Sequence, residues 1–317
     1  MARSVVQVPS TSRKPVQAIL WGAVLIGGCL GLMSLEPDPE SQRLKEYEFE
    51  PSRRLVLFVE QAARRFETEG ERAFGAFRDP KGPWLNPDKS LYLFAYATNG
   101  TCILHPVDTT LQGRNLIDLS DVHGKKMIQG LVGIEERGWV HYCWPRPGGF
   151  FPAWKSSYMV RTRAPDGGVC ILGAGLYDMD VEKVFVRSSV DQAADLLARE
   201  GERAIPKLRD PANPFTFLGN SVFVLGMDGA AIVDPSFQNI PIRNFSQFQD
   251  STGKKPFVEI VEKLGLKDST WVMFMRPRPG ESTPSKSLAY VRKVRLGDRY
   301  VIVGSHYFQP TPIWMKG

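Results

Sequence analysis

From Arg53 to Gly70 the chain reads RRLVLFVEQAARRFETEG, with apolar residues at 55, 58, 59, 62, 63 and 66. That spacing is the period of an amphipathic helix, and Gly70 supplies a stop. The period then changes. In SLYLFAYATNGTCILHP (90–106) two β-prone runs flank Asn99-Gly100, a strong hairpin signal. DVHGKKMIQGLVGIEERG (121–138) predicts a short amphipathic helix. GWVHYCWP (138–145) and SSYMVRTRAPDGGVCILGAGLY (156–177) supply three further strands, the last two joined by Pro-Asp-Gly-Gly. Successive hairpins require an antiparallel sheet with helices packed on it, which is an α+β class.

The same order of landmarks occurs twice. ETEGERAFGAFRDP (67–80) returns as AREGERAIPKLRDP (198–211), TNGTCILHP (98–106) as MDGAAIVDP (227–235), and GRNLIDLSDVHGKK (113–126) as PIRNFSQFQDSTGKK (241–255). GWVHYCWPRPGG (138–149) is echoed by STWVMFMRPRPGE (269–281), KSSYMVR (155–161) by KSLAYVR (286–292), and GAGLYD (173–178) by GSHYFQ (304–309). A period of roughly 130 residues is too long for a solenoid unit. Each copy is therefore expected to be a domain, and the chain a tandem duplication.

Before the first copy, AILWGAVLIGGCLGLMSL (18–35) runs for 18 residues without a charge, about the minimum for a membrane span. Arg13 and Lys14 precede it and Glu36, Asp38 and Glu40 follow. The positive-inside rule then places the N-terminus in the cytoplasm and everything after Leu35 outside. Three fates are open for this segment: an uncleaved anchor, a lipoprotein signal ending at Cys29, or a cleaved secretion signal. The other cysteines, Cys102, Cys143 and Cys170, lie in apolar strand-like runs with no C-x-x-C, and read as buried free thiols.

Hydrophobic content of 43% supports a real core. Net charge is +6 and the isoelectric point about 9.1, but basic and acidic residues are interleaved, so a nucleic-acid partner is not expected. The four histidines (His105, His123, His141 and His306) show no metal-ligand spacing, and no P-loop, G-x-S-x-G or H-E-x-x-H is present. His141 and Cys143 are two residues apart without a third group, and Asp118 and Asp121 flank a loop. No catalytic residue, metal or cofactor is expected, and the chain does not read as an enzyme.

Binding has better support. Strand alternation puts Val140, Tyr142 and Trp144 on one face. Tyr and Trp offer an apolar wall with a polar handle, as small-molecule pockets require. Lys155 opens the next strand and is placed to pair with a carboxylate, with Tyr158 adding a hydroxyl and His105 a further donor. The ligand-binding candidates are thus His105, Tyr142, Trp144, Lys155 and Tyr158. The second copy keeps Lys286 and Tyr290 but has Asp234, Phe274 and Arg276 in place of His105, Tyr142 and Trp144. The first copy is therefore expected to sense, and the second to support it or to hold something else.

The motifs LYLFAYATNGTCILHP, LQGRNLIDLSD, HGKKMIQGLV, GWVHYCWPRPGG and KSSYMVR…GAGLYD, spanning about Leu55 to Asp178, resemble the Cache family of extracytoplasmic sensory domains, specifically the single-Cache type in tandem. The second copy fits the frame more loosely. The resemblance implies two PAS-like antiparallel sheets flanked by helices, each able to hold a small ligand on one face. It also implies small carboxylates such as lactate, pyruvate or acetate as ligands. The expected layout is a cytoplasmic N-terminus (1–17), a transmembrane anchor (18–35), Cache domain 1 (36–186), Cache domain 2 (187–311) and a C-terminal tail (312–317). That layout is expected to make a single-pass protein of the bacterial inner membrane with its domains in the periplasm. No second span and no kinase, methyl-accepting or cyclase segment follows in the sequence, so a signal is expected to pass through a separate partner. A solute-capture protein serving a transporter, or an envelope protein with degenerate pockets, is the alternative.

Overall fold

A computed structural model describes residues 39–234, 244–278 and 281–309. The segment 18–35 lies outside them, as does the C-terminal tail; among the described residues no helix is long and apolar enough to cross a membrane. The helices are α1 (Pro39–Leu44), α2 (Glu50–Glu69), α3 (Ala73–Arg78), α4 (Met127–Val132), α5 (Lys183–Glu200), α6 (Ala204–Arg209) and α7 (Pro256–Leu266). The strands of the first copy are β1 (Leu93–Ala97), β2 (Cys102–Leu104), β3 (Arg137–Pro145), β4 (Pro152–Arg163) and β5 (Val169–Tyr177). Those of the second are β6 (Phe223–Gly226), β7 (Ala231–Val233), β8 (Ser269–Pro277), β9 (Pro284–Leu296) and β10 (Arg299–Phe308).

Each copy forms a five-stranded antiparallel sheet, in the order β2-β1-β5-β4-β3 and β7-β6-β10-β9-β8. The duplication expected from the sequence extends to small details. Helix α2 buries Leu55, Val56, Val59, Ala62, Ala63 and Phe66 against one face of the first sheet, and α5 buries Phe185, Val186, Val190, Ala193, Ala194 and Leu197 in the core of the second. Both helices stop at a glycine with φ of +62°, Gly70 and Gly201, whose N–H bonds to Phe66 and Leu197 respectively. Only glycine adopts that conformation without strain. Truncating Phe66 to Ala would cost about 3–5 kcal/mol, since its cavity is walled by sheet and helix. Helix α5 runs through the 186/187 division drawn from the sequence and belongs by its packing to the second sheet.

The predicted helix within 121–138 is shorter than its pattern, covering only Met127–Val132. The residues before it are held as a turn by Asp121. One carboxylate oxygen accepts from the N–H groups of His123 (2.8 Å) and Lys125 (3.0 Å), and the other from that of Cys143 on β3 (2.9 Å). Asp250 repeats this with Thr252 (2.8 Å), Lys254 (3.0 Å) and Met275 on β8 (2.9 Å). A carboxylate that satisfies three backbone donors fixes where the following helix lies over the sheet. That helix, α4 or α7, covers the sheet face opposite α2 or α5. Cys102, Cys143 and Cys170 are free and buried.

The copies meet through polar and aromatic contacts. Glu182, fully buried, accepts from the N–H groups of Glu48 (2.7 Å) and Phe49 (3.0 Å), satisfying donors at the start of α2 from the segment leading into α5. Lys125 donates to the carbonyl of Thr216, and His141 stacks on Phe217.

Candidate functional site

The sheet face beneath α4 holds a small cavity in the first copy. Tyr92, Phe94 and Tyr96 line it from β1 and its start, Tyr142 and Trp144 from β3, Lys155 from β4, and His105 from the end of β2; Met127, Ile128 and Leu131 of α4 form the roof. Its volume is about 10 Å³, room for roughly one water.

Lys155 is the unusual member. Its side chain is 1% exposed, and its ammonium donates to the Tyr92 hydroxyl at 2.9 Å. It also sits over the rings of Tyr92 (4.3 Å), Phe94 (5.2 Å) and Tyr177 (5.2 Å). Among the described residues no carboxylate forms an ion pair with it, and burial alone pushes its pKa down to about 7. Tyr92 is hydrogen-bonded onward to Tyr177, whose hydroxyl donates to the Pro145 carbonyl at 2.8 Å. The ammonium is thus held by oriented hydroxyls and ring faces, without a counter-charge.

His105 is buried, with Nδ1 accepting from the Asp108 N–H at 3.0 Å, so the proton of the neutral ring lies on Nε2. Burial, reinforced by the charge of Lys155, pushes its pKa down to about 4. The Tyr142 hydroxyl shares a hydrogen bond with Ser157 at 2.9 Å. Trp144 is half-buried at the rim. His105, Tyr142, Trp144 and Lys155 are therefore brought together as the sequence suggested.

Tyr158 is not. It stands three residues from Lys155 on the same strand, an odd spacing that puts it on the other face. There its hydroxyl donates to Glu60 of α2 at 2.9 Å, a carboxylate that also accepts from Arg43 (2.9 Å) and Arg137 (3.1 Å). Tyr290 makes the matching contact with Asp191 on α5 at 3.3 Å, so the pair tethers helix to sheet in both copies. Sequence reasoning also passed over Tyr92, Phe94 and Tyr96. Their i, i+2, i+4 alternation in LYLFAYA was the signal that one face of that strand is aromatic.

Lys155 and Lys286 are not equivalent either. Tyr142 faces Lys155 across β3 and β4, whereas Phe274 faces Ser287 across β8 and β9. Lys286 faces Met275, takes the place of Trp154 rather than Lys155, and is exposed. A one-residue slip moves a side chain to the opposite face. The corresponding cavity of the second copy, about 40 Å³, is lined by Phe223, Phe245, Phe248, Phe257, Phe274 and His306 with Leu225, Pro256, Ile260 and Ala289. It has no lysine; its imidazole, His306, accepts through Nε2 from the buried Arg276 guanidinium at 2.5 Å.

The family dCache_2, described as a Cache domain, matches residues 85–308, well over half of the chain. Among curated proteins, methyl-accepting chemotaxis protein McpP of Pseudomonas putida is 33% identical over 110 residues, 34% of this chain and 20% of that protein. Sensor histidine kinase MctS of Rhizobium johnstonii is 32% identical over 111 residues, 34% of this chain and 23% of that one. The chain thus spans about a fifth of the length of these relatives. Among solved structures, a periplasmic sensor domain of a chemotaxis protein is 26% identical with a TM-score of 0.30, covering 44% of this chain and 93% of that one. A methyl-accepting chemotaxis protein from Vibrio parahaemolyticus is 24% identical with a TM-score of 0.33, covering 43% and 89%. With the family match running through both sheets, this chain belongs to the Cache domain family, and the curated proteins it resembles are a methyl-accepting chemotaxis protein and a sensor histidine kinase.

Proposed function

We propose that the chain is a membrane-anchored extracytoplasmic sensor whose first Cache domain binds a small carboxylate, and that it signals through a separate partner. The observation that carries this reading is the Lys155 ammonium, 1% exposed and without a counter-ion among the described residues. Burying an unpaired charge is costly, and a ligand carboxylate would supply the missing partner. Tyr142 and the Nε2–H of His105 are placed to donate to the same anion, and the aromatic walls suit a chain of a few carbons. A cavity of about 10 Å³ is too small for such a ligand, so binding must lift the α4 roof and Trp144. Ligand occupancy is thereby linked to a movement, as sensing requires. The names of the two curated relatives, a chemotaxis protein and a sensor kinase, favour sensing over solute capture. The domains divide close to the start of α5, and residues 18–35 anchor the chain in the bacterial inner membrane with both domains in the periplasm.

The reading is tested by thermal-shift and calorimetric titration of the protein with acetate, lactate and pyruvate, against amino acids and purines as other classes. Bound ligand raises apparent stability by mass action. The expected result is stabilisation by one or more carboxylates, weakened at least ~10-fold by Lys155→Ala, because a desolvated charge-assisted contact is worth about 1.5–3 kcal/mol. Binding of an uncharged or cationic compound alone, or undiminished carboxylate binding by Lys155→Ala, overturns it. For topology, a reporter fused at the C-terminus should be active outside the cytoplasm and remain with the membrane fraction.

A further inference from the structure

At one point of the covered sheet face the two copies carry a basic side chain from different strands, and in the second copy the buried Arg276 of β8 stands beside it in the place of Trp144. In the first, the Lys155 ammonium on β4 lies over Phe94 and Tyr177. Strand pairing assigns the matching places in the second sheet. Phe94 faces Gly173 as Phe223 faces Gly304, and Tyr177 faces Lys155 as Phe308 faces Ser287. There the imidazole of His306 stands with its ring centre 6.5 Å from that of Phe223 and 6.3 Å from that of Phe308, and its Nε2 accepts from the Arg276 guanidinium of β8 at 2.5 Å.

His306 comes from β10, where it faces Ala289; the residue that faces Ser157 in the first copy is Gly175. A Cβ at Gly175 would lie 2.3 Å from Ser157 Oγ and 2.8 Å from Lys155 Cε, so the first copy has no room for a side chain there while Lys155 is in place. The second copy has Ser287 and Ala289 at the positions of Lys155 and Ser157, and the freed volume holds the imidazole. Large and small residues have changed strands.

We propose that His306 is a built-in plug occupying the place of the Lys155 ammonium, so that the Lys155–Gly175 pair admits an anion to the first domain and the Ser287–His306 pair excludes it from the second. Burial supports this by keeping the imidazole neutral, with a pKa pushed down to about 3. The anion half of the proposal rests on the reading of the first pocket given above; the plug does not.

The test therefore has an arm that needs no carboxylate. In the full chain, His306→Gly should lower Tm. Excess imidazole at about pH 8, where it is mostly neutral, should restore most of that loss while leaving the parent unchanged. Equal effects of imidazole on variant and parent overturn the plug. The second arm uses pyruvate, lactate and acetate with His306→Gly/Ser287→Lys, which should raise the stoichiometry of the bound anion from one to two per chain; an unchanged stoichiometry overturns the transposition. The reciprocal Lys155→Ser/Ser157→Ala/Gly175→His should bind no anion yet melt no lower than the parent, and a collapse of its fold would show that the two arrangements are not interchangeable. If the parent binds none of the three anions, the carboxylate reading fails while imidazole still decides the plug.

Discussion

Replacing Lys155 by Met removes a charge and keeps an unbranched apolar side chain of similar length. The ammonium's pKa falls from 10.5 to about 7 because it is buried. That is a shift of about 3.5 units, and at 1.36 kcal/mol each the free protein spends about 5 kcal/mol to keep the group charged, as an upper bound. Met leaves the Tyr92 hydroxyl without its donor, which returns about 1 kcal/mol of the gain, and imperfect packing takes more. The expected net stabilisation is about 1–4 kcal/mol, or a rise in Tm of about 2–4 °C per kcal/mol for a domain of this size. The sign with pH follows from linkage. The folded-state pKa lies below the unfolded one, so the penalty is full below about pH 7, shrinks as pH rises, and is gone above 10.5. No neighbour titrates inside that window: His105 is already neutral, Tyr177 is pushed up to about 12 by burial, and burial drives Tyr92 and Tyr142 higher still. Melting curves should therefore show a smaller advantage of Lys155→Met over the parent at about pH 9 than at about pH 6. Acetate, lactate or pyruvate should stabilise only the parent. A variant that melts below the parent at the lower pH, or that still responds to the same carboxylate, refutes the claim that stability is surrendered here for binding.

Carboxylate affinity of the parent should be flat below about pH 7 and fall about tenfold per unit above it, because the ligand requires the ammonium; calorimetry across that range reads it directly. Tyr158→Phe should leave affinity within twofold while costing about 1–3 kcal/mol, since Glu60 loses a donor on the far side of the sheet; denaturant melts and titration separate the two effects. Lys286→Ala should change stability by no more than about 0.5 kcal/mol and leave affinity unaltered, and a loss matching that of Lys155→Ala would contradict the pairing of Lys286 with Met275. Asp121→Ala should cost about 1–3 kcal/mol and weaken ligand binding as well, because three backbone donors lose their acceptor next to the α4 roof.

By itself the sequence determined the duplication, the α+β class and the hairpin order, because these depend on periodicity and turn chemistry written in consecutive residues. Gly70 ends its helix where the pattern says, and Asn99-Gly100 turns the first hairpin with Gly100 at a φ of +90°. The odd spacing of Lys155 and Tyr158 was also legible, and by alternation alone it separates their faces. What the chain could not reveal was register between distant strands. KSSYMVR and KSLAYVR look alike, yet their lysines point to opposite sides, because the partner strand and not the local motif decides which residue faces Tyr142 or Phe274. The exchange of Gly175 and Lys155 for His306 and Ser287 was hidden for the same reason: each pair lies about 20 residues apart in sequence and meets only across a ladder. Tertiary structure alone decided that Lys155 would be buried with a hydroxyl and ring faces but no carboxylate beside it among the described residues, since a lysine's environment is set by the β1, β5 and α4 residues folded around it and not by its neighbours along the chain.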